Sequence, residues 1–169
     1  MAEIRSTLDL IMERTKNFTL TDEEKRALDA KERKDRIRGW CRRYLDGALT
    51  IAELKENMDR ERASAPEASS LLREECLSHV NPEQDNGKIF LVLEEVLGAN
   101  NTGLAELIGD YQEELRRCRS TAGKEALEML AARGIRGSAV LPNPQQSPSW
   151  QARAAAARQK FQEQLYRVR

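Results

Sequence analysis

Aromatic residues account for only 5% of this 169-residue chain, and it holds a single histidine, His79. Strand-forming residues are scarce, while Ala, Leu, Glu, Arg and Lys abound, so the composition excludes a sandwich or barrel and predicts an all-α protein. Long apolar runs are missing as well. The longest uncharged one, "IFLVL" at residues 89–93, falls far short of the roughly 18 to 20 residues that a bilayer-crossing helix needs, so no membrane partner is expected. The first residues mix acids and bases without an apolar stretch, so a secretory signal is not expected either. Cys41, Cys76 and Cys118 are odd in number and widely spaced, which does not read as a disulfide framework and predicts a reducing, cytoplasmic setting.

Catalytic signatures are also lacking. The chain has no phosphate-cradling glycine-rich loop, no Gly-x-Ser-x-Gly elbow and no Cys-x-x-Cys pair, and these carry the commonest nucleotide, acyl-transfer and dithiol chemistries. Acid pairs such as Glu94 with Glu95 and Glu113 with Glu114 are plentiful, but neighbours on a helix point about 100° apart and do not converge on one substrate. Cys76 and His79, with Cys41 and Cys118, would supply a three-Cys, one-His zinc set. Their spacing is not that of a finger or ribbon, and Cys41 and Cys118 fall on apolar stripes, so core thiols are the expectation. Glu75 with His79 is an i, i+4 pair without a second copy, unlike the Glu-x-x-His of di-iron bundles. The expectation is a non-enzymatic protein with no cofactor and no metal.

What the chain does have is charge, 28 basic and 28 acidic side chains, distributed unevenly. Residues 1–30 carry −2, 31–46 carry +4, 47–80 carry −3, 81–115 carry −7, and 116–136 and 137–169 carry +4 each. An acidic middle between basic flanks lets segments of opposite sign face one another within a monomer or across a subunit interface.

Helix signals recur from end to end. Ile4, Leu8 and Ile11 predict a short amphipathic helix over residues 3 to about 16. Thr21 with Glu24, and Thr50 with Glu53, have the capping-box form in which hydroxyl and carboxylate satisfy each other's backbone N–H groups. The first of these helices should run to Gly47, a left-handed cap. Pro66 fits the start of a further helix carrying Ala68, Leu71, Leu72 and Val80. Residues 88–97 carry a broad apolar arc closed by Gly98, and Leu104, Leu107, Ile108, Tyr111, Leu115 and Cys118 form the cleanest stripe. Residues 88–119 are therefore expected to be an antiparallel hairpin at the heart of the core. A separate helix is expected over about 122–133, ending at Gly134. Prolines 142, 144 and 148 predict an extended linker over 137–149, before a C-terminal helix over 150–169 striped with Trp150, Ala154, Ala157, Phe161, Leu165 and Val168. The predicted architecture is an irregular bundle of six or seven helices, with residues 1–136 as its main body.

Two segments stand out as binding candidates. "RKDRIRGWCRRYL" at 33–45 gathers five arginines and a lysine. On a helical wheel Ile37, Trp40, Cys41, Tyr44 and Leu45 share one apolar arc, while Arg36, Arg38, Arg42 and Arg43 take its flanks and back. A single-strand binder sets aromatics and cations on one open face, so a packed helix with solvated arginines is the leading reading. Phosphate contact through these four arginines, on a nucleic-acid partner, is the alternative. The C-terminal helix, basic and tethered, either folds back on its own core or docks into a partner or a second copy through Trp150, Ala157, Phe161, Leu165 and Val168. The opening "MAEIRSTLDLIMERTKN" and the later "GIRGSAVLPN" resemble segments of small uncharacterised bacterial proteins, a resemblance that implies no particular activity. Function is expected to lie in protein–protein contact, with self-association, and the surface expected to carry it is the C-terminal helix with any open groove of the 88–119 hairpin.

Overall fold

Thr21 and Thr50 each accept a hydrogen bond from the backbone N–H three residues on, Glu24 and Glu53, whose carboxylates return a bond to the threonine N–H. Both capping boxes therefore form as the sequence predicts. In the computed structural model, which describes residues 21–168, they open α1 (Asp22–Leu45) and α2 (Ile51–Ser64). The helix expected over residues 3 to 16 lies outside the described residues. Gly47, at φ +80°, ends α1. Its N–H reaches the Tyr44 carbonyl and the Ala48 N–H the Arg43 carbonyl, the paired bonds that satisfy a helix's last acceptors once the chain turns left-handed. Then follow α3 (Ala68–Ser78) and α4 (Gly87–Leu91), which continues without a break as a π-helical turn, Val92–Val96. Gly98 closes it at φ +63°. Helix α5 (Thr102–Ala132), a 3₁₀ turn (Pro144–Gln146) and α6 (Pro148–Val168) complete an all-α fold, with no strand among the described residues.

The apolar arc of α1 packs as predicted: Ile37, Cys41 and Tyr44 are buried and Trp40 and Leu45 lie half-buried against them. Its closest neighbour is α3, while α2 packs against both and against the π turn. Leu54, Met58, Ala68, Leu72 and Val92 have no exposed surface at all, and each large apolar side chain among them stabilises the fold by about 1.5–3 kcal/mol. Two long-range cations close this cluster. Lys88 donates to the Leu45 carbonyl at 2.6 Å, and Arg62 to the Val96 carbonyl at 2.6 Å, so the last carbonyls of α1 and of the π turn meet a positive charge where the helix dipole favours one.

Three expectations are corrected. The break near residue 120 does not occur: α5 runs 31 residues, because Ser120, Thr121 and Gly123 only weaken a helix, whereas Ala122 is wholly buried and holds it. The principal hairpin is α5 with α6 rather than 88–119. It is antiparallel, with Tyr111 against Phe161 at one end and Glu125 bonded to Ser149 and Arg153 at the other. The proline-rich segment is no extended tether throughout. It turns at Gly134, forms the 3₁₀ turn, packs on α5, and enters α6 at Pro148, two residues ahead of the predicted start. Ala157 and Phe161 share one core with Ile37 and Leu72.

Candidate functional site

A cavity of about 680 Å³ opens between the end of α3, the loop that follows, and α6. The loop is shaped by Asn86. Buried among the backbone, its side-chain oxygen accepts the Asn81 N–H at 3.0 Å, and its amide donates to the Asn81 and Gln84 carbonyls at 2.8 and 2.9 Å. This holds Pro82 inward, its carbonyl accepting from Gln112 at 3.0 Å, and presents Glu83 to α5 and α6. Tyr111 donates its hydroxyl to Glu83 at 2.8 Å, and Arg158 bonds the same carboxylate oxygen. The two bonds, Arg158 first, hold the Glu83 carboxyl below the usual range. Burial, reinforced by Glu83, pushes the Tyr111 phenol up, and Glu83 in turn raises Arg158. Glu83 is thus kept ionised and Tyr111 kept protonated. On the cavity's other wall, His79 Nε2 lies 3.2 Å from Glu75, whose second oxygen takes a bond from Arg38 at 3.3 Å. These groups satisfy one another: Glu83 ties the loop to α5 and α6, and Glu75 ties α1 to α3.

The four arginines proposed for phosphate contact divide in two. Arg38 pairs with Glu75, and Arg36 lies 3.8 Å from Glu61. Arg42 and Arg43 are exposed and have no carboxylate within ion-pair distance among the described residues. Glu61, buried, also takes Arg33 at 3.2 Å, and Arg33 reaches Glu67 at 2.8 Å. The basic run is therefore met largely by acids of α2 and α3, which leaves two open cations where the sequence offered four.

The stripe of α6 is likewise taken up in cis. Ala157 and Phe161 are buried in the chain's own core, Trp150 and Leu165 are half-buried, and Val168 stays exposed while its carbonyl accepts from Arg73 of α3. Of the five residues expected to reach a partner, two are therefore covered. Exposed large apolar side chains are found singly at Leu28, Leu91, Tyr166 and Val168, and four more lie near the turn between α5 and α6: Leu127 is 43% exposed, Met129 60%, Ile135 50% and Leu141 90%. A shallow pocket of about 230 Å³ sits beside them, lined by Ala126, Met129, Leu130, Arg133 and Pro142. The sequence does not single out these residues, because Leu127 and Met129 lie off the α5 stripe and Leu141 falls in the proline-rich segment. The signal was present in apolar residues at positions that no predicted helix face required.

Cys41 and Cys76 are brought together, their Sγ atoms 3.9 Å apart. Cys118 lies on α5 beside Glu114, and His79 bonds Glu75, so the four residues of the zinc set are not gathered in one place. Among the described residues no helix is long and apolar enough to cross a membrane. No family model, curated protein or solved structure matches this chain.

Proposed function

We propose that this protein acts by contact rather than by catalysis, and that it pairs with a second copy of itself through the turn between α5 and α6. The observation that carries this reading is that four apolar side chains between residues 127 and 141, Leu127, Met129, Ile135 and Leu141, stand exposed, surface that gains by leaving water. A second copy fits it for two reasons. The chain's net charge is zero, so copies meet without long-range repulsion. The same stretch of chain also carries both signs, Glu128 with Arg133 and Arg136, which in a two-fold pairing can face their opposites.

The experiment is sedimentation of the full chain beside a Met129→Ser/Leu141→Ser double variant. The wild type is expected to dimerise with rising concentration and the variant to remain a monomer of equal thermal stability. A wild type that stays monomeric at high micromolar concentration overturns the reading. Truncation before α6 is a poorer test, because it strips Ala157 and Phe161 from the core.

A further inference from the structure

Cys41 on α1 and Cys76 on α3 meet across the closest helix contact of the α1–α4 cluster, Sγ to Sγ at 3.9 Å, with 0% and 1% of their surfaces exposed. Two thiols in a core ordinarily serve as small apolar fillers. What distinguishes this pair is that each sulfur has the other as its neighbour, and that side-chain rotation with a small approach of two helices already in contact would bring them to the roughly 2.05 Å of a disulfide. We propose that Cys41 and Cys76 form an oxidation site for hydroperoxides, closing to a disulfide that staples α1 to α3.

The steps balance. The Cys41 thiolate attacks one oxygen of the hydroperoxide, the O–O bond breaks, and water (or alcohol) leaves, giving a sulfenic acid on Cys41. The Cys76 sulfur then attacks the Cys41 sulfur, the S–O bond breaks, and a second water carries away the Cys76 proton and the hydroxyl. Two thiols lose two electrons, which the hydroperoxide accepts. Either sulfur can donate to the other. With Cys76 as the donor, its bond lowers the Cys41 thiol, helped by Arg42 and opposed by burial and Glu75, while the same bond and burial raise Cys76. In that arrangement Cys41 attacks first, and the disulfide formed is the same in either order. Entry is by local opening of α1, whose residues 21–32 are exposed and whose ion pairs to other elements, among the described residues, begin at Arg33. The reaction is accordingly slow compared with that of a surface thiol.

The test treats the reduced full-length protein with hydrogen peroxide, at a dose that oxidises all three cysteines of the same chain unfolded in urea. Remaining thiols are then alkylated in denaturant and the chain is digested with trypsin. Residues 39–42 should be recovered linked to residues 74–88 through one disulfide that dithiothreitol releases, and the Tm of the oxidised protein should rise by about 10 °C, since the bond closes a loop of some 35 residues. Cys118→Ser should keep the link and Cys41→Ala abolish it. Recovery of Cys41 and Cys76 as free thiols, as separate sulfinic acids, or in links to Cys118 of another copy overturns the proposal. A link formed with an unchanged or lowered Tm overturns the staple.

Discussion

The α1–α4 cluster and the far end of the α5–α6 hairpin are built from similar residues yet use them in opposite ways. In the cluster, elements meet from several sides, so Leu54, Met58, Leu72 and Val92 lose all contact with water and the ion pairs of Glu61 and Glu75 sit at their margin. Beyond Ala122 the described residues of this region are two helices and the turn that joins them. Two helices bury the groove between them and nothing more, so any apolar side chain outside that groove stays open, as Leu127 and Met129 do. An apolar residue is therefore buried here according to how many layers surround it rather than how apolar it is.

The sharpest way to break that comparison is to truncate one leucine in each region. Leu72→Ala, at a position with no exposure, should lower unfolding stability by roughly 2–5 kcal/mol, because a cavity adds to the lost transfer energy. Leu127→Ala should change it by no more than about 0.5 kcal/mol. Urea unfolding of dilute monomer reads both. Equal losses would mean that the hairpin's end is covered after all, and the self-pairing surface would have to be sought elsewhere.

Those two leucines also mark what could be read from the sequence. Boundaries set by local chemistry were legible: the Thr21 and Thr50 caps, the left-handed Gly47, Gly98 and Gly134, and the inward arc of Ile37, Cys41 and Tyr44 all depend on neighbours within one or two turns. Features that depend on a distant partner were not. The uninterrupted α5 needs α6 beside it, the π turn at Val92–Val96 has its last carbonyl answered by Arg62 from α2, and the proximity of Cys41 to Cys76 follows from how α1 crosses α3. The arginine run illustrates the same divide. Its helical phase was visible in the spacing, but Glu61 and Glu75, which occupy Arg36 and Arg38, stand 25 or more residues away along the chain.

Glu83 joins the two regions, and its titration measures how much the joint matters. Its folded carboxyl is held below the ordinary value by Arg158 and Tyr111. The stability it contributes is then present above the unfolded carboxyl's value of about 4.3 and is lost as pH falls through the lower folded one. Glu83→Gln should be less stable than wild type at neutral pH, with the two stability curves converging as the medium is acidified, because below the folded value wild type too has lost the charge. Glu24, Glu53, Glu113 and Glu125 are also lowered by their hydrogen-bond partners. Wild type and variant share these four groups, so the difference between the curves isolates Glu83. Parallel curves would show that the clamp adds nothing to stability.

The smallest effect sharpens the comparison inside the cluster itself. Thr50 and Thr21 make the same reciprocal cap, with the hydroxyl accepting from Glu53 N–H at 3.3 Å and from Glu24 N–H at 3.2 Å, so cap chemistry alone predicts equal losses. Their surroundings differ. Fraying the first turn of α2 would loosen Leu54, which has no exposed surface, whereas α1 is exposed through Glu32 and can fray by several residues before any buried side chain moves. Thr50→Ala should therefore cost about 1 kcal/mol of global stability, and Thr21→Ala only a few tenths, its effect confined to faster amide exchange in the first turns of α1. Equal costs in urea unfolding would mean that the exposed half of α1 unfolds together with the core, and that the cap at Thr21 stabilises the whole fold rather than one frayed end.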